Sequence, residues 1–232
     1  MTDGQCHLCG ETYTKRGMNR HLRSCLSSVE EGTSAVVLRI TGTHRDEYWI
    51  HTLVDRETTL VTLDSFLRDF WVECCNHLSS FQIDGTDYNN DNPSAFGSRP
   101  QRGRPMDISV GAVLDRHTVE EFSYVYDWGS STHLTLSVVD TGQWEMSAID
   151  SHSEEDISTE YEGLLILTRN EQPTRECASC GEPADQICQR CLMRRGPDAL
   201  CCEACAEEHD CDRPRFLPVV NSPRSGVCGY IG

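Results

Sequence analysis

Apolar residues in the middle of the chain follow the two-residue period of β-strands. Residues 35–41 (AVVLRIT) and 48–54 (YWIHTLV) are rich in β-branched and aromatic side chains, which favours two strands. The same signals predict a short strand at 81–83, a hairpin whose arms alternate over 122–126 and 134–138 around the turn YDWGSST, and a last strand at 161–169.

A three- and four-residue apolar spacing predicts one long helix over residues 63–78. Its stripe comprises Leu63, Phe66, Leu67, Phe70, Trp71, Cys74 and Leu78, and we interpret it as core. Thr62 is the expected N-cap, and Asp64 would complement the positive end of the helix dipole. Cys74 and Cys75 are adjacent, which excludes a metal pair with two intervening residues, so we expect buried thiols here.

Two polar segments, 86–105 and 142–160, are predicted to be loops because they offer little to bury. Residues 35–170 are therefore expected to form one α+β domain, a small mixed or antiparallel sheet packed on one main helix. No apolar stretch reaches the length of a membrane span, so we expect no membrane partner.

Eight residues in the last quarter of the chain have the spacing of zinc ligands. They read C-x2-C-x7-C-x2-C-x10-C-x2-C-x3-H-x-C and comprise Cys177, Cys180, Cys188, Cys191, Cys202, Cys205, His209 and Cys211. Two residues between cysteines let one backbone turn direct both thiolates at a single tetrahedral ion. We predict a cross-brace-like module over 171–232 with two closed, structural zinc sites. A disulfide framework is the alternative.

The pairing order of these ligands is open from the sequence. In an interleaved order, the first and third Cys pairs share one zinc ion, and the second pair binds the other with His209 and either Cys211 or Cys228. In a consecutive order, the first pair joins the second. Cys201 is an alternative to Cys202, because three-residue spacing also occurs in zinc modules.

A further zinc element opens the chain. Residues 6–25 read C-x2-C-x11-H-x3-C, and the predicted ligands are Cys6, Cys9, His21 and Cys25. We expect residues 1–30 to form a small ββα finger with Tyr13, Met18 and Leu22 as its apolar core. A segment this short folds only with its metal, so about three zinc ions per chain are predicted.

The formal net charge of −17 disfavours wholesale electrostatic binding of nucleic acid. Lys15 is the only lysine, and this acid-rich, lysine-poor composition is typical of a salt-loving source. The polar first thirty residues show no signal peptide, so we expect a cytoplasmic protein with reduced thiols.

The finger is a local exception to the acidic charge. Lys15, Arg16, Arg20 and Arg23 are accompanied by one acid, Glu11. A basic helix on a zinc finger is typical of phosphate contact, and a solvated helix face is the alternative. One finger alone offers only about 600–1,000 Å² of interface, usually too little for specific DNA binding.

The central segments WIHTLVDRETTLVTLDSFLRDFWVECCNHLSSFQIDG and VYDWGSSTHLTLSVVD resemble the plasmid ORF-three-like family, also called insertion-element passenger proteins. The matching positions are Thr59–Leu60 at the helix start, His77–Leu78 near its end, and Tyr126, Asp127, Trp128 and Gly129 in the hairpin turn. The family's arginine after the first tryptophan is missing, because Ile50 follows Trp49. Many members carry an acid and a tryptophan after the turn glycine, where this chain has Ser130, Ser131 and Thr132.

The resemblance extends over nearly all of residues 35–232. The tail HDCDRPRFLPVVNSPRSGVCGYIG is similar to the family's zinc-bearing subgroup, which implies that Cys228 is a ligand. The resemblance implies a fold but transfers no biochemical activity.

We therefore expect a non-enzymatic zinc protein that binds a macromolecular partner, either protein or nucleic acid. The alternative is an enzyme that uses His77, Asp127 and His133. Each of these has a plainer interpretation: His77 as a cap of helix carbonyls, Asp127 as a turn residue bonded to its own backbone, and His133 as an outward strand residue.

Overall fold

The computed structural model describes residues 2–90, 103–149, 161–195 and 199–232. The helices are α1 (Lys15–Leu26), α2 (Leu60–Leu67), α3 (Val110–His117), α4 (Gln189–Arg195) and α5 (Glu203–Glu207), with a π-helical turn at Arg68–Val72 and a 3-10 turn at Met146–Ala148. The strands are β1 (Asp3–Cys6), β2 (Thr12–Thr14), β3 (Thr33–Gly42), β4 (Arg45–Asp55), β5 (Ser79–Ile83), β6 (Thr86–Asn89), β7 (Arg104–Pro105), β8 (Glu121–Tyr126), β9 (Thr132–Trp144), β10 (Leu164–Asn170), β11 (Gln186–Cys188), β12 (Leu200–Cys201) and β13 (Phe216–Pro218).

One large mixed sheet organises the described residues. Its ten strands follow the order β2-β1-β10-β4-β3-β9-β8-β5-β6-β7, and only the β6–β7 pair is parallel. The α+β class and the predicted strands are confirmed, including the hairpin, in which Tyr126 pairs with Thr132. The sheet is larger than predicted because β1 and β2 of the finger and the short β6 and β7 extend it.

Both faces of the sheet are buried at β3 and β4, which explains the continuous apolar runs of these two strands. Successive side chains of a strand lie on opposite faces. Val36 and Leu38 pack into a core that includes residues of α2 and α3. Val37 and Leu53 pack into a second core on the other face, which includes the apolar side of α1.

The main helix is shorter than its apolar period suggests. Thr59 is the N-cap instead of Thr62, because the Thr59 hydroxyl accepts from the Thr62 backbone N–H at 3.2 Å. The helix passes into the π-helical turn, where the Glu73 N–H donates to the Arg68 carbonyl, and the backbone is extended at Glu73. Cys74 and Leu78 therefore lie outside the helix.

Asp64 is a buried hydrogen-bond acceptor, in a role other than the predicted partner of the helix dipole. Its carboxylate accepts from Arg68 Nε at 2.9 Å, Ser79 Oγ at 2.6 Å, Tyr124 Oη at 2.8 Å and Asn90 Nδ2 at 2.7 Å. Four donors satisfy the buried charge, which ties the main helix to β5 and β8.

The predicted loops contain regular structure that the sequence did not indicate. β6 and β7 fall within 86–105, and β9 continues to Trp144. The rest of the two loop predictions, 91–102 and 150–160, lies outside the described residues. α3 was not predicted, although Ser109 caps it and Val110, Val113 and Leu114 are buried at helical spacing.

The finger is joined to the sheet instead of standing apart from it. β1 pairs antiparallel with β10, so that Gly4 lies opposite Asn170. A Cβ at Gly4 would lie 2.5 Å from the Arg169 carbonyl oxygen, so the close approach of the strands requires glycine. Met18 and Leu22 are buried as predicted, but against the sheet.

The described part of the chain holds no helix with the length and apolarity needed to cross a bilayer.

Candidate metal centres

Four groups of cysteine and histidine side chains bring their ligand atoms within 4.8 Å of one another. We name them the finger site (Cys6, Cys9, His21, Cys25), the first tail site (Cys177, Cys180, Cys202, Cys205), the second tail site (Cys188, Cys191, His209, Cys211) and the bridging site (Cys74, Cys75, His77, Cys228). All fourteen cysteines are free thiols, and only Cys201 lies outside these groups.

The finger site is assembled by a strand, a turn and a helix. Cys6 ends β1, Cys9 lies in the turn that follows, and α1 supplies His21 and Cys25. The Cys9 sulfur lies 3.3 Å from His21 Nε2. Tyr13 stacks on the His21 ring with 4.2 Å between centroids, and it also packs against the core that contains Met18 and Leu22.

The finger site and the first tail site are each built on a backbone turn of the same type. Gly10 N donates to the Cys6 carbonyl at 2.8 Å, and Gly181 N donates to the Cys177 carbonyl at 2.9 Å. In both turns the backbone N–H of the first cysteine donates to the backbone carbonyl of the glutamate that follows the glycine, at 2.8 and 2.7 Å. The glycines have φ of 78° and 81°, which glycine adopts without strain. The two turns thus present their thiols alike.

The two tail sites interleave. The first and third cysteine pairs form the first tail site, in which the sulfurs of Cys180 and Cys202 are 3.7 Å apart. The second pair lies with His209 and Cys211, and Cys191 Sγ is 3.3 Å from His209 Nε2. Cys202, not Cys201, belongs to the first group.

Cys201 lies behind the second tail site. Its sulfur is 3.8 Å from Nδ1 of His209, the ring nitrogen that does not face Cys191. Phe216 packs edge-on against the same ring with 5.4 Å between centroids. Both contacts orient the imidazole, as second-shell partners do in metal sites.

Crowding of thiols opposes their ionisation within these groups. Burial and the neighbouring Cys6 and Cys9 raise the pKa of Cys25 to about 12. Burial, Cys211 and Cys188 raise the pKa of Cys191 to about 11. A divalent cation would supply the compensating charge, and metal binding then releases the protons.

One thiol in each tail site ionises readily instead. Backbone N–H groups, that of Cys202 foremost, lower the pKa of Cys177 to about 6. Burial alone would raise the pKa of Cys188, but the N–H groups of Cys191 and Arg215 outweigh it and lower the value to about 7. Each tail site therefore has one thiol prepared for metal.

The bridging site corrects two predictions. Cys74 is half-buried and Cys75 is exposed, so they are not the buried thiols expected from their adjacency. Cys228 does not join the second tail site, where Cys211 takes its place, but lies 3.9 Å from the Cys75 sulfur and 3.7 Å from His77 Nε2. The described residues therefore contain four candidate groups where the sequence indicated three.

Two of the four basic finger residues are engaged within the fold. Lys15 forms an ion pair with Asp46 at 2.9 Å, and Arg23 donates to the Val139 carbonyl at 2.6 Å. Arg16 and Arg20 are exposed, and neither has a partner among the described residues. The basic helix thus keeps two outward arginines.

The candidate catalytic residues do not converge. His77 Nδ1 lies 3.6 Å from Asp127, but Asp127 is bound by Arg224 at 2.8 Å and by the Gly129 N–H at 2.9 Å. The ring of His133 packs against His44 instead. Within the described residues no contact joins His133 to the other two, which removes the basis for a three-residue catalytic site.

Comparison with known proteins adds little. No family model matches the chain, and no curated protein is similar to it. A solved structure of a protein of unknown function from Methanosarcina mazei aligns over 52% of this chain and 67% of its own, at 12% identity and a TM-score of 0.41.

Proposed function

We propose that the protein is a non-enzymatic zinc protein whose metal sites build a rigid surface for a macromolecular partner. The observation that carries this proposal is the composition of the candidate sites, each of which offers four protein ligands. A tetrahedral ion with four protein ligands has no position left for water or substrate, which is typical of structural zinc. Thiolate and imidazole ligands favour zinc over magnesium, calcium and manganese.

The proposal includes zinc at the finger site and at both tail sites. In each of these, pairs of cysteines lie close together in the chain, so that a short turn presents two ligands at once. None of the three has a large apolar core of its own: the second tail site, for example, packs on a small cluster that includes Ile187 and Ala199. Metal binding would supply the missing folding free energy.

A protein partner is favoured over nucleic acid. Lys15 pairs with Asp46, and Arg23 donates to the Val139 carbonyl. Only Arg16 and Arg20 of the four basic finger residues therefore remain available to contact phosphate. A net charge of −17 repels a polyanion. Two arginines neutralise too few phosphates to overcome that repulsion at moderate salt.

Titration of labelled single- and double-stranded oligonucleotides tests the choice of partner. We expect no binding at about 0.15 M salt, with identical curves for the wild type, for the Arg16→Ala, Arg20→Ala double variant and for the control Arg116→Ala, which removes an exposed arginine from α3. Binding that weakens in the double variant but not in the control would assign a nucleic-acid partner instead.

A nuclease-treated pull-down from lysate tests the protein partner directly. We expect a protein that is retained by the zinc-loaded wild type and by Glu120→Ser, at an exposed position outside the four groups, but lost with Cys177→Ser, which removes a ligand of the first tail site. Equal retention by all three proteins would show that the metal sites do not build the binding surface.

We also propose membership of the plasmid ORF-three-like family, a link to mobile elements, and a cytoplasmic setting in a salt-loving organism. Thr59 at the helix start and Asp127 in the hairpin turn support the family, since both lie where its pattern implies. The acid-rich, nearly lysine-free composition supports the setting.

A further inference from the structure

We propose that Cys74, Cys75, His77 and Cys228 bind a fourth zinc ion, which fastens the C-terminal segment to the central domain. Three of these ligands follow the main helix, and the fourth comes from a segment about 150 positions later, so that no local motif marks the site. This inference does not depend on the proposed partner function.

The spacing of the ligand atoms fits a tetrahedral ion. With Zn–S bonds of about 2.3 Å, two sulfurs on one tetrahedral zinc lie about 3.8 Å apart, and a sulfur and a nitrogen slightly less. The Cys75 and Cys228 sulfurs are 3.9 Å apart, and Cys228 Sγ lies 3.7 Å from His77 Nε2. The sulfurs of Cys180 and Cys202 in the first tail site are separated similarly, by 3.7 Å.

The histidine of the bridging site has a carboxylate beside its other ring nitrogen, as metal-bound imidazoles commonly do. Its Nε2 faces Cys228, and its Nδ1 lies 3.6 Å from the Asp127 carboxylate. Asp127 is itself fixed by Arg224 at 2.8 Å. A carboxylate on the Nδ1 side of the imidazole favours the orientation in which Nε2 faces the metal.

The thiolates are supported as well. Arg224 Nη2 donates to the Cys74 sulfur at 3.2 Å, a charged donor that stabilises a thiolate. The Tyr126 hydroxyl accepts from the backbone N–H groups of Cys74 at 3.4 Å and His77 at 3.2 Å, and donates to Glu73 at 2.7 Å. These hydrogen bonds of Tyr126 fix the backbone segment that carries three of the ligands.

Left-handed backbone at two positions turns these ligands toward one another. Asn76 and Cys228 both have φ of 55°, a conformation that costs free energy for residues other than glycine. The left-handed residue Asn76 lies between the ligands Cys75 and His77, whose ligand atoms face one point with those of Cys74 and Cys228. Strain of this kind is typical of sites that a ligand stabilises.

A metal here would set the position of the tail. The segment before Cys228 already contacts the central domain, where Ser222 Oγ donates to the Trp71 carbonyl at 2.6 Å and Trp71 Nε1 donates to the Asn221 carbonyl at 3.0 Å. Zinc would add a coordinate crosslink to these hydrogen bonds. None of its four ligands is buried, whereas each of the other three sites has at least one buried cysteine, so this ion is the one most accessible to a chelator.

Zinc content per chain tests the site. We expect four zinc ions in the wild type and three in Cys75→Ser and in Cys228→Ser, measured by native mass spectrometry. The matched control is Glu120→Ser, at an exposed position outside the four groups, which should retain four. Three ions in the wild type, unchanged in both bridging-site variants, would overturn the proposal while leaving the other three sites intact.

Alkylation of the wild-type protein gives a second test that needs no variant. Under anaerobic, reducing conditions, bound zinc should protect Cys75 and Cys228 together from iodoacetamide, and brief chelation that removes one ion should expose both. Rapid alkylation of Cys75 in protein that still holds its full zinc content would overturn the site. A Cys75–Cys228 disulfide in that protein would overturn it equally.

Discussion

Arg224 and Asp127 form a buried ion pair between the C-terminal segment and the tip of the β8–β9 hairpin, with 2.8 Å between Nη2 and Oδ2. Arg224 also donates to the Ser130 carbonyl at 3.1 Å and the Thr132 hydroxyl at 2.9 Å, and stacks on the Tyr126 ring. The C-terminal segment is therefore part of the central fold, and one guanidinium organises the contact.

Arg224→Met should destabilise the zinc-loaded protein by about 3–5 kcal/mol, because it leaves the Asp127 carboxylate buried without its cation. Arg224→Lys keeps the charge but not the forked geometry, so it should cost less. Urea denaturation measures the change, with Arg16→Met, on an exposed arginine, as the control. An Arg224→Met cost equal to that of the control would show that the pair contributes nothing.

Thr59→Ala should lower the free energy of unfolding by about 1 kcal/mol, because the hydroxyl caps the first turn of α2 through the Thr62 N–H. Thr62→Ala should cost less, because that side chain caps no backbone group. Denaturant titration of both variants separates the two positions. A larger loss for Thr62→Ala would support the helix start predicted from the sequence alone.

Because of His51, the free energy of unfolding should decrease as the pH falls. Burial first, and the nearby Arg39 charge second, lower its pKa to about 3, and its Nε2 lies 2.7 Å from the Asn19 side-chain oxygen. In the unfolded chain the pKa of His51 returns to about 6.5, so the unfolded state binds the extra proton and gains stability as the pH falls from about 6.5 toward 3.

His51→Gln removes this titration, so the wild type should lose about 1.4 kcal/mol more than the variant for each pH unit below about 6. Unfolding in urea at pH 7, 6 and 5 measures the difference in stability between the two proteins. Zinc release in acid affects both proteins equally, so it does not contribute to this difference. Gln143→Ala, on an exposed residue that does not titrate, should follow the wild type. Parallel profiles for wild type and His51→Gln would show that His51 protonates normally in the fold.

Gly4→Ala should weaken the attachment of the finger to the sheet. The new methyl group would meet the Arg169 carbonyl oxygen at 2.5 Å and the Trp49 ring at 2.7 Å, and overpacking of this kind costs about 1–3 kcal/mol. Amide hydrogen exchange should become faster in β1, where Gly4 lies opposite Asn170. In the control Gly129→Ala the new methyl group makes only ordinary van der Waals contact, so exchange in β1 should not change. Unchanged exchange in Gly4→Ala would show that the strands can separate without loss.

Local patterns predicted the local parts of the structure. β3 and β4 follow from runs rich in β-branched and aromatic residues, and the hairpin follows from alternating apolar residues. The C-x2-C turns follow from a spacing that is complete within a few positions. α3 could also be predicted from the sequence, since Ser109 precedes apolar residues at helical spacing. The apolar period overestimated the main helix because it continues through Cys74, past the point where the Glu73 N–H closes the π-helical turn.

Contacts between distant segments could not be predicted in the same way. Nothing in the finger sequence shows that β1 pairs with β10, because that register depends on residues more than 150 positions away. The bridging site was missed for the same reason. Cys228 gave the one signal that pointed to it, as a ligand with no settled partner in the tail.

X-ray absorption at the zinc edge of the purified protein tests the central claim, closed structural zinc sites, most directly. The four groups contain thirteen sulfur and three nitrogen ligands, an average of about 3.25 sulfurs and 0.75 nitrogens per zinc ion. The expected spectrum shows a sulfur-dominated shell at about 2.3 Å with a minor nitrogen contribution at about 2.0–2.1 Å. A shell rich in oxygen, or purified protein without zinc, would contradict the account.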